Sequence, residues 1–438
     1  MIAYTSIAEA LEAASRAASR KEKIQPVTEL ISSLDEGELC PAIRLLMGEL
    51  WPSWVGREMG AGIEAVMDAL GELAGTQFVR DLQGDIGEVG AVAEKAIEKR
   101  SQSALSSQPL TAMDVYKALS QISRQSGRSS CGRRSAILRG LFLEATPLEG
   151  KYIARTLDGN MRVGLGPSLV CHAIALAFGK DPTDVKGAYQ LLPEMGLLAL
   201  TLRGGRVVDL TPGIPVRFMV PSRRAKEPLS PGLYQIRYGG LRVQLHLHGG
   251  GFRAYSGRLR DISRVLRAIE DDILTLPQGT ILVGELLGLK DGRLIGQGEL
   301  LSFLNGNSSH SSIAPSIKVV DLLLLKGRGL ISLPFSRRWG EARALFSPAE
   351  DLLHPPLSLA ETRDITRTEE VVELLSHVRE IGLAGLIIRD PQSPYRPGAA
   401  GGDLSICPSG RAISPAVLQA GDGVAVPVGR VKEGGRNG

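Results

Sequence analysis

The chain has 438 residues, 43% of them hydrophobic, which is enough to bury sizeable cores and, at roughly 100–200 residues per domain, to form two or three domains. A net charge of +4 permits contact with phosphate backbones without establishing it. Neither a charged-then-apolar leader nor an apolar run of about 18 residues is present, so an intracellular protein without a membrane partner is expected.

From Met1 to about Arg203 the apolar residues recur at helical spacing, as in Ile7, Leu11 and Ala14, then Ile63, Val66, Met67 and Leu70, then Val115, Leu119 and Ile122. The pattern predicts an all-α domain of many short helices over residues 1–205. Turn formers break it at Trp51-Pro52-Ser53, Ser106 to Pro109, Pro147 and Gly179 to Pro182. Thr111, followed by Ala112-Met113-Asp114, suits an N-cap with an acidic first turn. Cys40, Cys131, Cys171 and Cys407 are scattered, without CxxC pairs or His at ligand spacing, which argues against a disulfide framework or a zinc site.

Residues 206–232 are rich in proline and basic side chains and read as an extended connection. The period then changes. Leu241, Val243, Leu245 and Leu247 alternate with Arg242, Gln244, His246 and His248, and Gly249-Gly250-Gly251 closes a hairpin, so a half-buried strand is expected. Apolar runs at Thr280–Leu289, Ile317–Leu325 and Leu383–Ile388 read as buried strands, with a helix over Thr368–Ile381, giving an α+β domain over 233–408. The 30 residues after Pro408 are Gly-rich and fall short of the roughly 50 residues a domain needs.

Two sets of segments carry a family resemblance. In the helical half they are Trp51-Pro52-Ser53-Trp54, Asp85-Ile86-Gly87-Glu88-Val89, and Pro147-Leu148-Glu149-Gly150-Lys151-Tyr152-Ile153-Ala154-Arg155 running into Met161-Arg162-Val163-Gly164-Leu165-Gly166. In the second half they are Arg237-Tyr238-Gly239-Gly240-Leu241-Arg242, Tyr255 to Ile262, Ile281 to Glu285, Val319-Val320-Asp321, Ala384 to Arg389 and Ser393 to Gly398. Together they resemble ATP-dependent DNA ligases of the archaeal and eukaryotic type. The resemblance implies a helical DNA-binding domain followed by an α+β adenylylation domain of the nucleotidyltransferase, ATP-grasp-like class. It also implies duplex or nicked DNA as partner, a cytoplasmic location at the nucleoid, and ATP with magnesium as cofactors. DNA contact falls on Arg162, Gly164 and Gly166, and residual nucleotide contact on Arg242, Arg258 and Glu285. Lys151, by contrast, reads as a solvated or phosphate-facing helix residue.

The catalytic positions depart from the family. Arg237 stands for the nucleophilic lysine of KxDGxR and Gly239 for its aspartate, and Gly257 replaces an arginine. Val320 replaces the aromatic residue that stacks on adenine, Ala384 and Arg389 replace the glutamate and lysine of EGxxxK, and Ser405 and Cys407 replace the lysines of WxKxKP. Forming a lysyl-adenylate needs a neutral amine, whereas a guanidinium stays protonated with delocalised lone pairs. The expectation is a DNA-binding relative with no intact catalytic residue, no metal site and no intact C-terminal OB fold. Two alternatives stand beside it: a working ligase that uses Lys226 or Lys318, and a scaffold that binds nucleotide or protein non-covalently. Sliding-clamp docking is not expected, because Gln102-Ser103-Ala104-Leu105-Ser106 lacks aromatic anchors.

Overall fold

The computed structural model describes residues 1–100, 109–125, 130–222, 231–306, 312–346 and 356–408. Gln102 to Ser106, Lys226 and the C-terminal tail therefore lie outside the described residues. Two compact units are present, Met1–Arg217 with Arg258–Asp261, and Phe218–Gly257 with Ile262–Gly438. The first is built from α-helices and the second is α+β, as the two periodicities predict.

Helices of the first unit start where local chemistry supplies a cap. Ser19 with Glu22, Thr111 with Asp114 and Thr146 with Glu149 each form a capping box, which satisfies backbone N–H groups that the first turn leaves free. Pro147, Pro167 and Pro182 occupy first helical positions, where a missing N–H costs nothing. At the centre, the helices Val89–Lys99 and Pro147–Asp158 approach so closely that a Cβ on Gly150 would strike Ile97, and one on Gly90 would lie 2.7 Å from the Arg155 side chain. Arg155 pairs with Glu88 at 3.1 Å, and Glu88 also caps the helix that follows it. Lys151 is not solvated. Its side chain is only 12% exposed and bridges Glu12 at 3.0 Å and Glu94 at 3.2 Å, so it is an interior ion-pair member rather than a solvated residue.

In the second unit the strands are β1 (Val220–Ser222), β2 (Gly232–Arg237), β3 (Leu241–His248), β4 (Gly251–Ser256), β5 (Thr280–Lys290), β6 (Arg293–Leu294), β7 (Ala314–Leu325), β8 (Arg328–Gly329), β9 (Leu357–Leu359), β10 (Thr362–Ile365), β11 (Gly385–Arg389) and β12 (Ala400–Pro408). One sheet runs β1-β12-β11-β2-β10, the other β4-β3-β5-β7-β8 with β6 on β5 and β9 on β7. The stretch read as a connection thus contains a strand, β1, which pairs parallel with β12. Gly249 and Gly250 form the β3–β4 turn with φ of 62° and 79°, a conformation that glycine adopts without strain.

Strand β3 is not half-buried. Val243 to Leu247 are all buried, including Gln244 and His246. One face, that of Val243, Leu245 and Leu247, packs into the hydrophobic core, and on the other the Tyr255 ring packs edge-on against His246 at 5.0 Å between centroids. His246 Nε2 and Gln244 Oε1 lie 3.2 Å apart, and burial pushes the imidazole pKa down to about 3.

Candidate functional site

The chain passes from one sheet to the other between β2 and β3, so Tyr238-Gly239-Gly240 forms a corner. Gly239 turns it with a φ of 86°. A Cβ on Gly240 would strike the Leu286 carbonyl and lie 2.6 Å from Leu287 Cδ2, so the corner sits directly on the central strand β5 and admits only glycine there. Glu285, on β5, fixes the corner by accepting the Gly239 N–H at 2.8 Å and the Gly240 N–H at 2.9 Å. Burial pushes the Glu285 carboxyl above its usual range, against the opposing pull of the Gly240 N–H, the Arg237 charge and the Gly239 N–H.

Strand β11 pairs with β2, which sets Gln235 opposite Ile387 and Arg237 opposite Gly385. The Arg237 carbonyl accepts the Ala384 N–H at 2.9 Å, and a Cβ on Gly239 would come within 3.0 Å of the Ala384 Cβ. Arg389, at the far end of β11, donates from Nη2 to Gln235 Oε1 at 2.7 Å and to the Val320 carbonyl at 2.8 Å. Its guanidinium also lies 4.5 Å from the Phe335 ring centroid and 3.8 Å from Asp321. Burial lowers the Arg389 pKa and the Asp321 charge opposes the shift.

Asp321 is engaged a second time. Arg338, on the helix Phe335–Arg343, donates from Nε and Nη2 to its two carboxylate oxygens, each at 2.9 Å, and both residues are only 1% exposed. Arg338 Nη1 further donates to the Ser393 carbonyl at 3.0 Å. Tyr395 is buried, and its hydroxyl oxygen accepts the Met219 N–H at 3.0 Å.

These residues enclose a cavity of about 120 Å³, whose lining includes Arg237, Gly240, Arg242, Glu285, Val320, Asp321, Ile387, Arg389 and Tyr395. The structure therefore brings together Arg237, Arg242, Glu285 and Arg389 of the sequence-predicted set, with Gly239 and Ala384 adjoining. Arg258 is exposed in the turn after β4. Ser405 and Cys407 fall on β12, opposite Ile388 and Leu386 of β11. Among the described residues no lysine lines the cavity. Lys318 is buried, does not line it and donates to Ser358 Oγ at 2.6 Å. In the first unit, Arg162, Gly164 and Gly166 share one exposed loop. Arg162 takes a φ of 52°, Gly164 a φ of 67°, and Gly166 is the N-cap of the helix Pro167–Ala177. Lys23 Nζ holds this loop by donating to the Val163 carbonyl at 3.1 Å.

Sequence reading assigns no role to Arg338 or Gln235. A signal for Arg338 exists, because it lies on the stripe formed by Phe335, Trp339 and Ala342, and an arginine on an apolar helix face implies a buried acidic partner.

The family description "DNA ligase N terminus" matches residues 3–175, and "ATP dependent DNA ligase domain" matches residues 223–405. Three curated relatives, each named "DNA ligase", are similar along most of the chain. The protein from Methanothrix thermoacetophila is 30% identical over 423 residues, covering 92% of this chain and 74% of its own length. That from Thermococcus onnurineus is 30% identical, covering 82% and 66%, and that from Archaeoglobus fulgidus is 28% identical, covering 87% and 72%. A solved structure named "Pmar-Lig_PreS3" superposes with a TM-score of 0.53 at 14% identity, covering 92% of this chain and 78% of that one, a likeness of fold.

Proposed function

The chain belongs to the ATP-dependent DNA ligase family, and on that premise we propose that it binds duplex or nicked DNA without forming a lysyl-adenylate. The observation that carries this reading is the cavity beside the β2–β3 corner, where Arg237, which the resemblance sets in place of the nucleophilic lysine, lines the wall and no lysine does among the described residues. Adenylylation begins with attack by a neutral amine on the α-phosphorus, and a guanidinium can hold a phosphate but not attack one. The remaining groups do not fit ATP and magnesium chemistry either. Val320 offers no ring to adenine, Ala384 no carboxylate to a metal, Glu285 is held by two backbone N–H groups, and Asp321 is neutralised by two arginines.

Binding of DNA is supported by the exposed loop of Arg162, Gly164 and Gly166 at a helix N-terminus, an arrangement suited to phosphates and independent of sequence. Participation in replication or repair follows from the family premise. The test is to incubate the full chain with α-labelled ATP and magnesium, and separately to titrate nicked duplex over a salt series. No covalent label and an affinity that falls steeply with salt are expected. A label that one lysine substitution abolishes would overturn the first half of the reading, and the absence of salt-dependent binding would overturn the second.

A further inference from the structure

We infer that Lys23 is a positioning residue for the loop of Arg162, Gly164 and Gly166, acting on a DNA phosphate through Arg162 and not by touching it. This rests on the reading that the loop meets duplex DNA, and it goes further by naming the side chain that holds the loop in its binding shape. Between the helices Pro147–Asp158 and Pro167–Ala177 the chain turns left-handed at Gly159, Arg162 and Gly164, with φ of 72°, 52° and 67°. Glycine adopts that region freely. Arg162 carries a Cβ and stays there only where its surroundings leave no alternative.

Both neighbours of Arg162 are anchored. Met161 sits over Gly48, so closely that a Cβ on Gly48 would lie 2.7 Å from Met161 Cγ, and its carbonyl accepts from Arg155 Nη1 at 3.4 Å. Val163 is buried, and its carbonyl accepts from Lys23 Nζ at 3.1 Å. Among the described residues, that is the one hydrogen bond from residues 160–166 to a helix other than the two that the loop joins. Lys23 belongs to the helix Arg20–Ser33 and makes no ion pair among the described residues, so its charge is committed to this carbonyl alone. The ammonium also lies against Gly164, where a Cβ would come within 2.8 Å of Nζ. The missing side chain at Gly164 thus admits the group that fixes Val163, and with Met161 held on the other side, Arg162 is left projecting from two fixed points.

Anisotropy of a labelled duplex titrated with the full chain over a salt series tests the assignment in Lys23→Met, Arg162→Gln and the double variant. Lys23→Met removes a charge-assisted hydrogen bond and is expected to weaken duplex binding by about tenfold. It should also lower the slope of log affinity against log salt by about 1, the share of the Arg162 contact that it disorganises. The double variant should then lose no more slope than either single variant. Lys23→Arg keeps a donor for the Val163 carbonyl on a half-exposed side chain and is expected to restore both affinity and slope. Gly164→Ala displaces the ammonium without removing it and should reproduce the slope of Lys23→Met, so the same contact is read a second way if Lys23→Met melts early. The assignment is overturned by parent affinity and slope in Lys23→Met, by no recovery in Lys23→Arg, or by slope losses that add in the double variant, the mark of a Lys23 that contacts phosphate itself. Arg162→Gln with the parent's slope would instead refute the underlying reading, so the two failures are distinguishable.

Discussion

Restoring the family residues at the corner, Arg237→Lys together with Gly239→Asp, is expected to leave the protein unable to take up label from ATP and to weaken its fold. Gly239 holds a φ of 86°, and a side-chain-bearing residue forced into such a region costs about 1–3 kcal/mol. Its new Cβ would stand 3.0 Å from the Ala384 Cβ, so the corner or the segment before β11 must give by a few tenths of an ångström. The aspartate would also add a carboxylate at a corner whose N–H groups are already held by Glu285. At roughly 1–3 kcal/mol per molar urea, the midpoint of the second unit should fall by about 1 M in the double variant and in Gly239→Ala, and stay unchanged in Arg237→Lys alone. On the proposed function labelling should fail regardless, because Ser405 and Cys407 stand where the resemblance places cationic lysines, and each missing preorganised group costs about a hundred- to a thousandfold in rate. Stoichiometric label on the double variant, or a double variant as stable as the parent, would refute this reasoning.

Asp321→Ala leaves Arg338 and Arg389 as buried charges without their carboxylate, a change that costs about 3–5 kcal/mol; equilibrium unfolding that moves by under about 1 kcal/mol would contradict the pairing described. His246 is neutral in the folded chain, with a pKa of about 3 against an ordinary value of 6.5, so the unfolded chain binds the extra proton between those values. Its contribution is therefore whole above about pH 6.5 and falls by about 1.4 kcal/mol per unit toward pH 3, a slope that His246→Gln should remove from the acid limb of a pH–stability profile. Arg162→Gln is expected to weaken duplex binding without regard to sequence and to lower the slope of log affinity against log salt by about 1, measured by anisotropy across a salt series.

Local chemistry made much of the fold legible. The capping box at Thr111, the proline starts at Pro147 and Pro182, and the glycine turn after His248 each depend on residues within a few positions of one another. Readings that failed concern partners distant in the sequence. Lys151 looks solvated because Glu12 and Glu94 come from other helices, and the Gln244 and His246 face of β3 looks exposed because alternation alone does not say whether a second layer covers the polar side.

What the sequence does not display is that the residues around the β2–β3 corner are mechanically joined. Gly239 and Ala384 lie just beyond the β2–β11 pairing, where a Cβ on Gly239 would come within 3.0 Å of the Ala384 Cβ, and Gly239 permits the left-handed corner that Glu285 then fixes. Arg389 reaches Gln235 and the Val320 carbonyl beside the same cavity, and Asp321 accepts Arg338 alongside it. A lysine introduced at 237 alone would still face a wall organised by these contacts. A change at one or two positions of the corner therefore meets a wall that several strands hold, because Glu285, Arg389 and Asp321 are each engaged by other groups of the chain.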